Sequence, residues 1–200
     1  MMQWAQELLK KVEATRSVRL EHPAPVLDSV QEGALLKQYH PDYLGHERKL
    51  AVGPNAGEEK FPLELWNQVL AVNLTGVFLC SQEIGKTMVE QKNGIIVNIS
   101  SIYGLLGADQ RIYGKSNLNS PVSYAATKGA IINLTKYLAA YWNRKNIRVN
   151  TMTLGGVEDK SYMSKKFITN YSEKTMIGRM AKNNEYDGGL VFLLSNASSY

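Results

Sequence analysis

The chain has 200 residues, 44% of them hydrophobic and 20% charged, with a formal charge of +5; this suits one soluble globular domain with a real core. No run approaches the roughly 18 apolar residues that cross a bilayer, since the richest stretch, Val69 to Cys80, is broken by Asn73 and Thr75, and the N-terminus carries no signal-peptide core. The lone cysteine, Cys80, excludes an internal disulfide and fits a reducing, cytoplasmic setting.

The basic excess is consistent with a mildly basic surface or with an anionic partner such as a nucleotide. Lys and Arg are spread along the chain without an aromatic-basic stripe, so nucleic acid is not an expected partner. No metal site is expected.

Residues 1–20 read as an amphipathic helix, with Trp4, Leu8, Leu9 and Val12 at helical spacing. From Glu21 to Lys60 the chain is punctuated by His22-Pro23, His40-Pro41 and Gly53-Pro54-Asn55-Ala56-Gly57. Only Lys49–Val52 hints at a strand there. The texture changes near residue 60, which divides the chain into an N-terminal segment, 1–60, and an ordered region, 61–200. Pro62 opens a helix near Leu63 that runs toward Glu90. Gly94-Ile-Ile-Val-Asn-Ile-Ser100 is an apolar, β-branched run that reads as a buried parallel strand. After a loop from Ser101 to about Ser120, Pro121 opens a second long helix, predicted to end near Arg144-Lys145-Asn146. Ile147 to Met152 reads as another strand, ending at Gly155-Gly156, and a last helix covers about Asn184 to Leu194. Alternation of helix and strand predicts an α/β doubly wound parallel sheet.

Tyr124 and Lys128 stand at i and i+4 on the second helix and therefore share a face. An adjacent cation favours the phenolate, and a tyrosine tuned toward neutrality can exchange a proton with an alcohol or carbonyl oxygen. The spacing alone is not selective, because Tyr141 with Lys145 and Tyr162 with Lys166 repeat it. Tyr124 differs in following a strand that ends in Ser100-Ser101, and ligands in open α/β sheets bind at the carboxyl ends of strands.

Taken in order, Gly94-Ile-Ile-Val-Asn-Ile-Ser-Ser101, Tyr124-x-x-x-Lys128 and Ile147-Arg-Val-Asn150 resemble the short-chain dehydrogenase/reductase family. Trp66 to Phe78 resembles the family's helix carrying a catalytic asparagine, here Asn73, and Gly178-Arg179-Met180 with Glu185 to Ser195 is similar to its last helix. The resemblance covers 61–200. It implies Tyr124 as general acid/base, Lys128 holding the nicotinamide ribose, Ser101 polarising the substrate oxygen, and Asn73 kinking its helix and anchoring a proton-relaying water. It also implies NAD or NADP as cofactor, with Gly156 and Val157 beside the nicotinamide, and a homodimer formed through helices 63–90 and 121–145. The bland readings are a polar helix break for Asn73, a turn cap for Ser101 and a solvated chain for Lys128.

The chain departs from the family's pattern in three places. Tyr124 follows Ser101 by 23 positions, a long gap, and the extra loop carries Arg111, Tyr113 and Lys115. The loop resembles that of a subgroup associated with bacterial surface-sugar biosynthesis, and Arg111, Tyr113 and Lys115 are expected to contact an acidic or glycosyl substrate; the alternative is an ordinary surface excursion. Leu154-Gly155 stands where the family has Pro-Gly. The family's glycine-rich dinucleotide loop has no counterpart before residue 60, where Gly33, Gly45 and Gly53 are far apart. Pro54-Asn-Ala-Gly57 is similar to a family motif but lies close to Asn73, and is read as coincidence. The expected fold is therefore an incomplete Rossmann-like sheet without its first βαβ units and last strand. Two functions follow: an NAD(P)-dependent oxidoreductase acting on a carbonyl or alcohol, or a non-catalytic remnant keeping the fold and the dimer helices.

Overall fold

The computed structural model describes residues 53–54, 58–116, 118–161 and 163–200. The expected helix over 1–20 and strand over 49–52 lie outside the described residues. The elements are β1 (Gly53–Pro54), α1 (Leu63–Leu70), a π-helical turn (Ala71–Thr75), α2 (Gly76–Gln91), β2 (Gly94–Ser101), β3 (Leu118–Asn119), α3 (Val122–Tyr141), β4 (Ile147–Leu154), α4 (Lys165–Ser172) and α5 (Asp187–Leu194).

β2 and β4 pair in parallel, from Gly94 opposite Ile147 to Ser101 opposite Leu154. Alternation along these strands sends successive side chains to opposite faces. Ile147 and Val149 pack with Leu138 and Trp142 of the α3 end, and Ile96 joins them. Asn98 Nδ2 donates to Thr135 Oγ1 of α3 at 2.8 Å and Ser100 Oγ donates to the Lys128 carbonyl at 2.7 Å. The other face meets α5: the Arg148 guanidinium donates to the Leu193 and Ser195 carbonyls at 2.9 and 3.2 Å. A sheet covered by helices on both faces is the doubly wound arrangement expected. Among the described residues the parallel sheet has two strands, and Gly53–Pro54 pairs instead with Leu118–Asn119, antiparallel, in a separate ladder.

The helix predicted from Leu63 toward Glu90 forms in full, with the π turn inside it. Leu63–Gln91 is long enough and apolar enough (mean hydropathy 1.3 over its best window) to cross a membrane by length and composition, which the sequence reading had not expected, and 11% of that window is buried. Packing accounts for its buried positions: Val69 is fully buried, and a Cβ on Gly85 would come within 2.6 Å of Trp142 Cη2.

Two helix boundaries and one whole helix differ from expectation. α3 stops at Tyr141 rather than near Asn146, because Arg144 and Asn146 take left-handed backbone at φ 61° and 56° while Trp142 turns into the core. α5 starts at Asp187 rather than Asn184; Glu185 is held instead by Arg179 at 2.6 Å and by the Lys182 N–H at 2.7 Å. α4 was not foreseen, although Ser164 caps it by accepting from Phe167 N at 3.2 Å and Phe167, Ile168 and Tyr171 follow at helical spacing.

Candidate active site

The register places Ser101 opposite Leu154, so Ser101 and the Gly155-Gly156 turn leave the sheet at the same carboxyl edge. Ser101 is buried, and its Oγ accepts from Tyr103 N at 3.2 Å, capping the short turn Ile102–Gly104. The cap expected under the plain reading is therefore present, and it fixes the hydroxyl at the sheet edge.

α3 brings Tyr124 and Lys128 to this edge. Its first turn is set by Pro121, whose φ of −71° and ψ of 149° suit a helix entry. Lys128 Nζ lies 5.6 Å from the centre of the Tyr124 ring and donates to the Ile99 carbonyl of β2 at 3.1 Å. One bond thus ties the ammonium to the strand that ends in Ser101. Thr127 Oγ1 donates to the Tyr124 carbonyl at 2.9 Å and accepts from Asn73 Nδ2 at 3.3 Å. Asn73 sits within the π turn, where one extra residue per turn redirects side chains, a device common at functional sites. Asn73, Ser101, Tyr124 and Lys128 are thus carried into one region by the π turn, β2 and α3. The other two Tyr/Lys pairs separate from them: Tyr141 ends α3 at 68% exposure, roughly 25 Å of helix from Tyr124, and Tyr162 lies outside the described residues.

Two phenols that the sequence reading missed, Tyr103 and Tyr171, lie near enough to Tyr124 to feel its charge, and Tyr186 neighbours Tyr171. Burial pushes the Tyr103 phenol far up, helped by Tyr113, Tyr171, Asp109 and Tyr124 nearby. Burial also raises Tyr171, opposed by the hydrogen bond from Gly156, with Tyr186 and Tyr124 adding to the rise. Tyr171 OH accepts from Gly156 N at 2.7 Å and Tyr186 OH accepts from Gly155 N at 3.1 Å. Tyr171 had a readable signal in the helical spacing of α4; Tyr103 and Tyr186 had none, since no local pattern distinguishes either.

The described residues of the long loop are docked. The Gln110 side-chain amide donates to Ser120 O and accepts from Ser120 N, both at 3.1 Å. Asn170 of α4 donates to Ile112 O at 3.0 Å. Arg111 is exposed and engages Asp109 at 2.7 and 2.8 Å, which holds the Asp109 carboxyl well below its usual range. Tyr113 is buried with Ile112, Tyr171 and Met180, its ring 5.2 Å from that of Phe167. Lys115 is exposed.

Val157 forms a parallel bridge with Ala181, in which Ala181 N donates to Gly156 O at 3.0 Å and Glu158 N to Ala181 O at 2.8 Å. In such a bridge the flanking residues carry the bonds and the central residue's own N–H and C=O point the other way. The backbone of Val157 is therefore directed away from Ala181, an arrangement that fits the carboxamide of a nicotinamide.

Residues 44–200 match the family described as "Enoyl-(Acyl carrier protein) reductase", a stretch that takes in Pro54–Gly57. The chain is 35% identical over 137 residues to the 3-oxoacyl-(acyl-carrier-protein) reductase FabG of Aquifex aeolicus, covering 68% of this chain and 51% of that protein. It is 35% identical over 147 residues to the 5-keto-D-gluconate 5-reductase of Escherichia coli, covering 70% and 53%. A short-chain dehydrogenase of Leptospira borgpetersenii, solved with bound NAD+, matches with a TM-score of 0.66 and 45% identity, covering 71% of this chain and 54% of that one. The chain spans about half the length of the curated relatives it matches. With the matched stretch, the parallel sheet and the order of its motifs in agreement, the chain belongs to the short-chain dehydrogenase/reductase family.

Proposed function

We propose that this chain carries the catalytic half of an NAD(P)-dependent oxidoreductase interconverting a carbonyl and an alcohol on a small polar, sugar-related substrate. The observation that supports it above all is the Lys128 ammonium, held by the Ile99 carbonyl and standing 5.6 Å from the Tyr124 ring. The relative acting on 5-keto-D-gluconate favours the sugar-related substrate.

Bound nicotinamide supplies or accepts the hydride. Lys128 and Tyr124 would hold its ribose; Gly156 and Val157 would lie beside the nicotinamide, with the backbone of Val157 meeting its carboxamide while Gly156 is engaged by Tyr171 and Ala181. In the reducing direction Ser101 donates a hydrogen bond to the substrate carbonyl, orienting it toward Tyr124. Tyr124 gives its phenolic proton to that oxygen as the carbon is reduced, and Lys128 stabilises the negative charge left on the phenolate. Oxidation of the alcohol runs the same proton transfer backward. Asn73, through Thr127, holds the turn of α3 between Tyr124 and Lys128 in place.

Assembly belongs to the same reading. A groove of about 830 Å³ between α2 and α3 is lined by Phe78, Val89, Tyr137, Tyr141 and Trp142 among others. Tyr137 and Tyr141 are 63% and 68% exposed and stack with centroids 6.0 Å apart. An apolar face of this kind suits a C2 dimer of two copies, in a soluble protein of the cytoplasm.

The test is a titration of NADH and NADPH against the purified chain, followed by nicotinamide fluorescence and then turnover with keto-sugar acids. Saturable binding is expected, with Tyr124→Phe abolishing turnover and weakening affinity by no more than about tenfold, the scale of one lost hydrogen bond to the ribose. No saturable binding at millimolar cofactor supports the non-catalytic alternative. A Tyr141→Phe variant that loses as much turnover as Tyr124→Phe would overturn the assignment.

A further inference from the structure

The loop after β4 has neither the stiffness of a proline nor a side chain to anchor it, because Leu154 is followed by Gly155 and Gly156. Two adjacent glycines leave a loop free to sample many conformations, yet this one must present Val157 in a fixed orientation. The structure holds it from outside. Tyr171 of α4 accepts from Gly156 N at 2.7 Å, and Tyr186, just before α5, accepts from Gly155 N at 3.1 Å. The contact between Tyr171 and Gly156 is steric as well: a Cβ on Gly156 would lie 2.6 Å from Tyr171 Cζ and 2.7 Å from Met180 Cε. Tyr171 is itself fixed, buried among Ile112, Tyr113 and Met180 with Phe167 packed against them. α4 therefore bears directly on the glycine turn, and the long loop bears on it through Tyr171.

We propose that Tyr171 is a positioning residue for the nicotinamide side of the site, clamping Gly156 so that Val157 and the sheet edge at Ser101 keep one geometry, with Tyr186 as a second, weaker clamp. This rests on the reading that nicotinamide lies beside Gly156 and Val157. It gives the docked loop 107–120 a definite job: Tyr113 supports Tyr171 and does not have to touch substrate. It also explains why position 156 holds glycine, since any side chain there displaces the clamp.

The test compares Tyr171→Phe, Tyr186→Phe and wild-type full-length chain in three measurements. Backbone amide exchange over residues 153–158 is expected to speed up in Tyr171→Phe without any cofactor, and less so in Tyr186→Phe. Nicotinamide affinity is expected to fall about tenfold in Tyr171→Phe, the scale of one lost hydrogen bond, with KM for cofactor rising more than kcat falls. The melting temperature is expected to fall only modestly, because the ring stays packed and the half-buried Gly156 N–H can be met by water. Unchanged exchange, or full affinity in Tyr171→Phe while wild type binds, overturns the proposal; so does a melting temperature that falls in step with affinity, which marks a merely structural role. If wild type takes up neither nucleotide, the functional reading fails separately, and the exchange measurement decides alone whether Tyr171 fixes the turn.

Discussion

Gly104 and Lys128 are packed backbone to backbone: a Cβ on Gly104 would fall 2.7 Å from both the carbonyl carbon and oxygen of Lys128 and 2.9 Å from Gly129 N. The turn after Ser101 and the turn of α3 carrying Lys128 can approach this closely only because residue 104 has no side chain. The same Lys128 carbonyl accepts from Ser100 Oγ at 2.7 Å, so one peptide fixes the distance between the strand end and the helix. Gly104→Ala is expected to cost about 1–3 kcal/mol by overpacking against rigid backbone, and turnover should fall further than stability alone explains. Gly129→Ala is the control, since its Cβ would meet Gly104 O at an ordinary 3.4 Å. Thermal melts and initial rates of the two variants check this; equal effects would show that the close approach at 104 is not what sets the site.

The buried pair Asn98–Thr135 joins β2 to α3 at 2.8 Å, with both residues under a tenth exposed. Removing the acceptor leaves a buried amide donor without its partner. Thr135→Val should destabilise the chain by about 1–3 kcal/mol, and adding Asn98→Leu should recover part of the loss. Urea unfolding of the single and double variants measures this. Additive losses would mean that the pair is not coupled.

The Arg179 side chain lowers the Glu185 carboxyl to about 2, helped by the Lys182 N–H. A carboxylate depressed on folding contributes stability that is present above its unfolded value near 4.3 and is lost as pH falls through its folded value. The melting difference between wild type and Glu185→Gln is therefore expected to be constant above pH ~5 and to shrink between about 4.5 and 2. Melts across that range check the sign; a difference that grows on acidification contradicts it. The pair is solvent-exposed, so raising salt should diminish the difference at neutral pH.

The face formed by Phe78, Tyr137 and Tyr141 is proposed to meet a second copy. Tyr141→Glu together with Phe78→Glu should convert a dimer into a monomer as read by light scattering, while the helical signal is kept. A wild-type chain already monomeric at tens of micromolar would defeat the proposal.

Several elements could be read before any coordinate was known, because local chemistry dictated them. The run Gly94–Ser101 is β-branched and bounded, Pro62 and Pro121 stand at helix entries, and Tyr124 and Lys128 share a face by helical spacing alone. A kink at Asn73 was implied by the family resemblance, but its form as a π turn left no mark in the local sequence. The end of α3 was misplaced because basic residues 144–145 suit a helix terminus, whereas burial of Trp142 ended it earlier. α4 had an N-cap and the right spacing but lies between Gly156 and Asn184, where the sequence reading assigned no element.

The sequence by itself determined the parallel sheet, the ordering of Asn73, Ser101, Tyr124 and Lys128, and the family they belong to, because periodicity and motif order are properties of the chain. Tertiary structure decided that Lys128 is pinned to Ile99, that Tyr103 and Tyr171 come near Tyr124, and that two phenols hold a glycine turn. Those relations join residues distant along the chain, and only the packing of α3 and α4 against the sheet edge brings them within reach of one another.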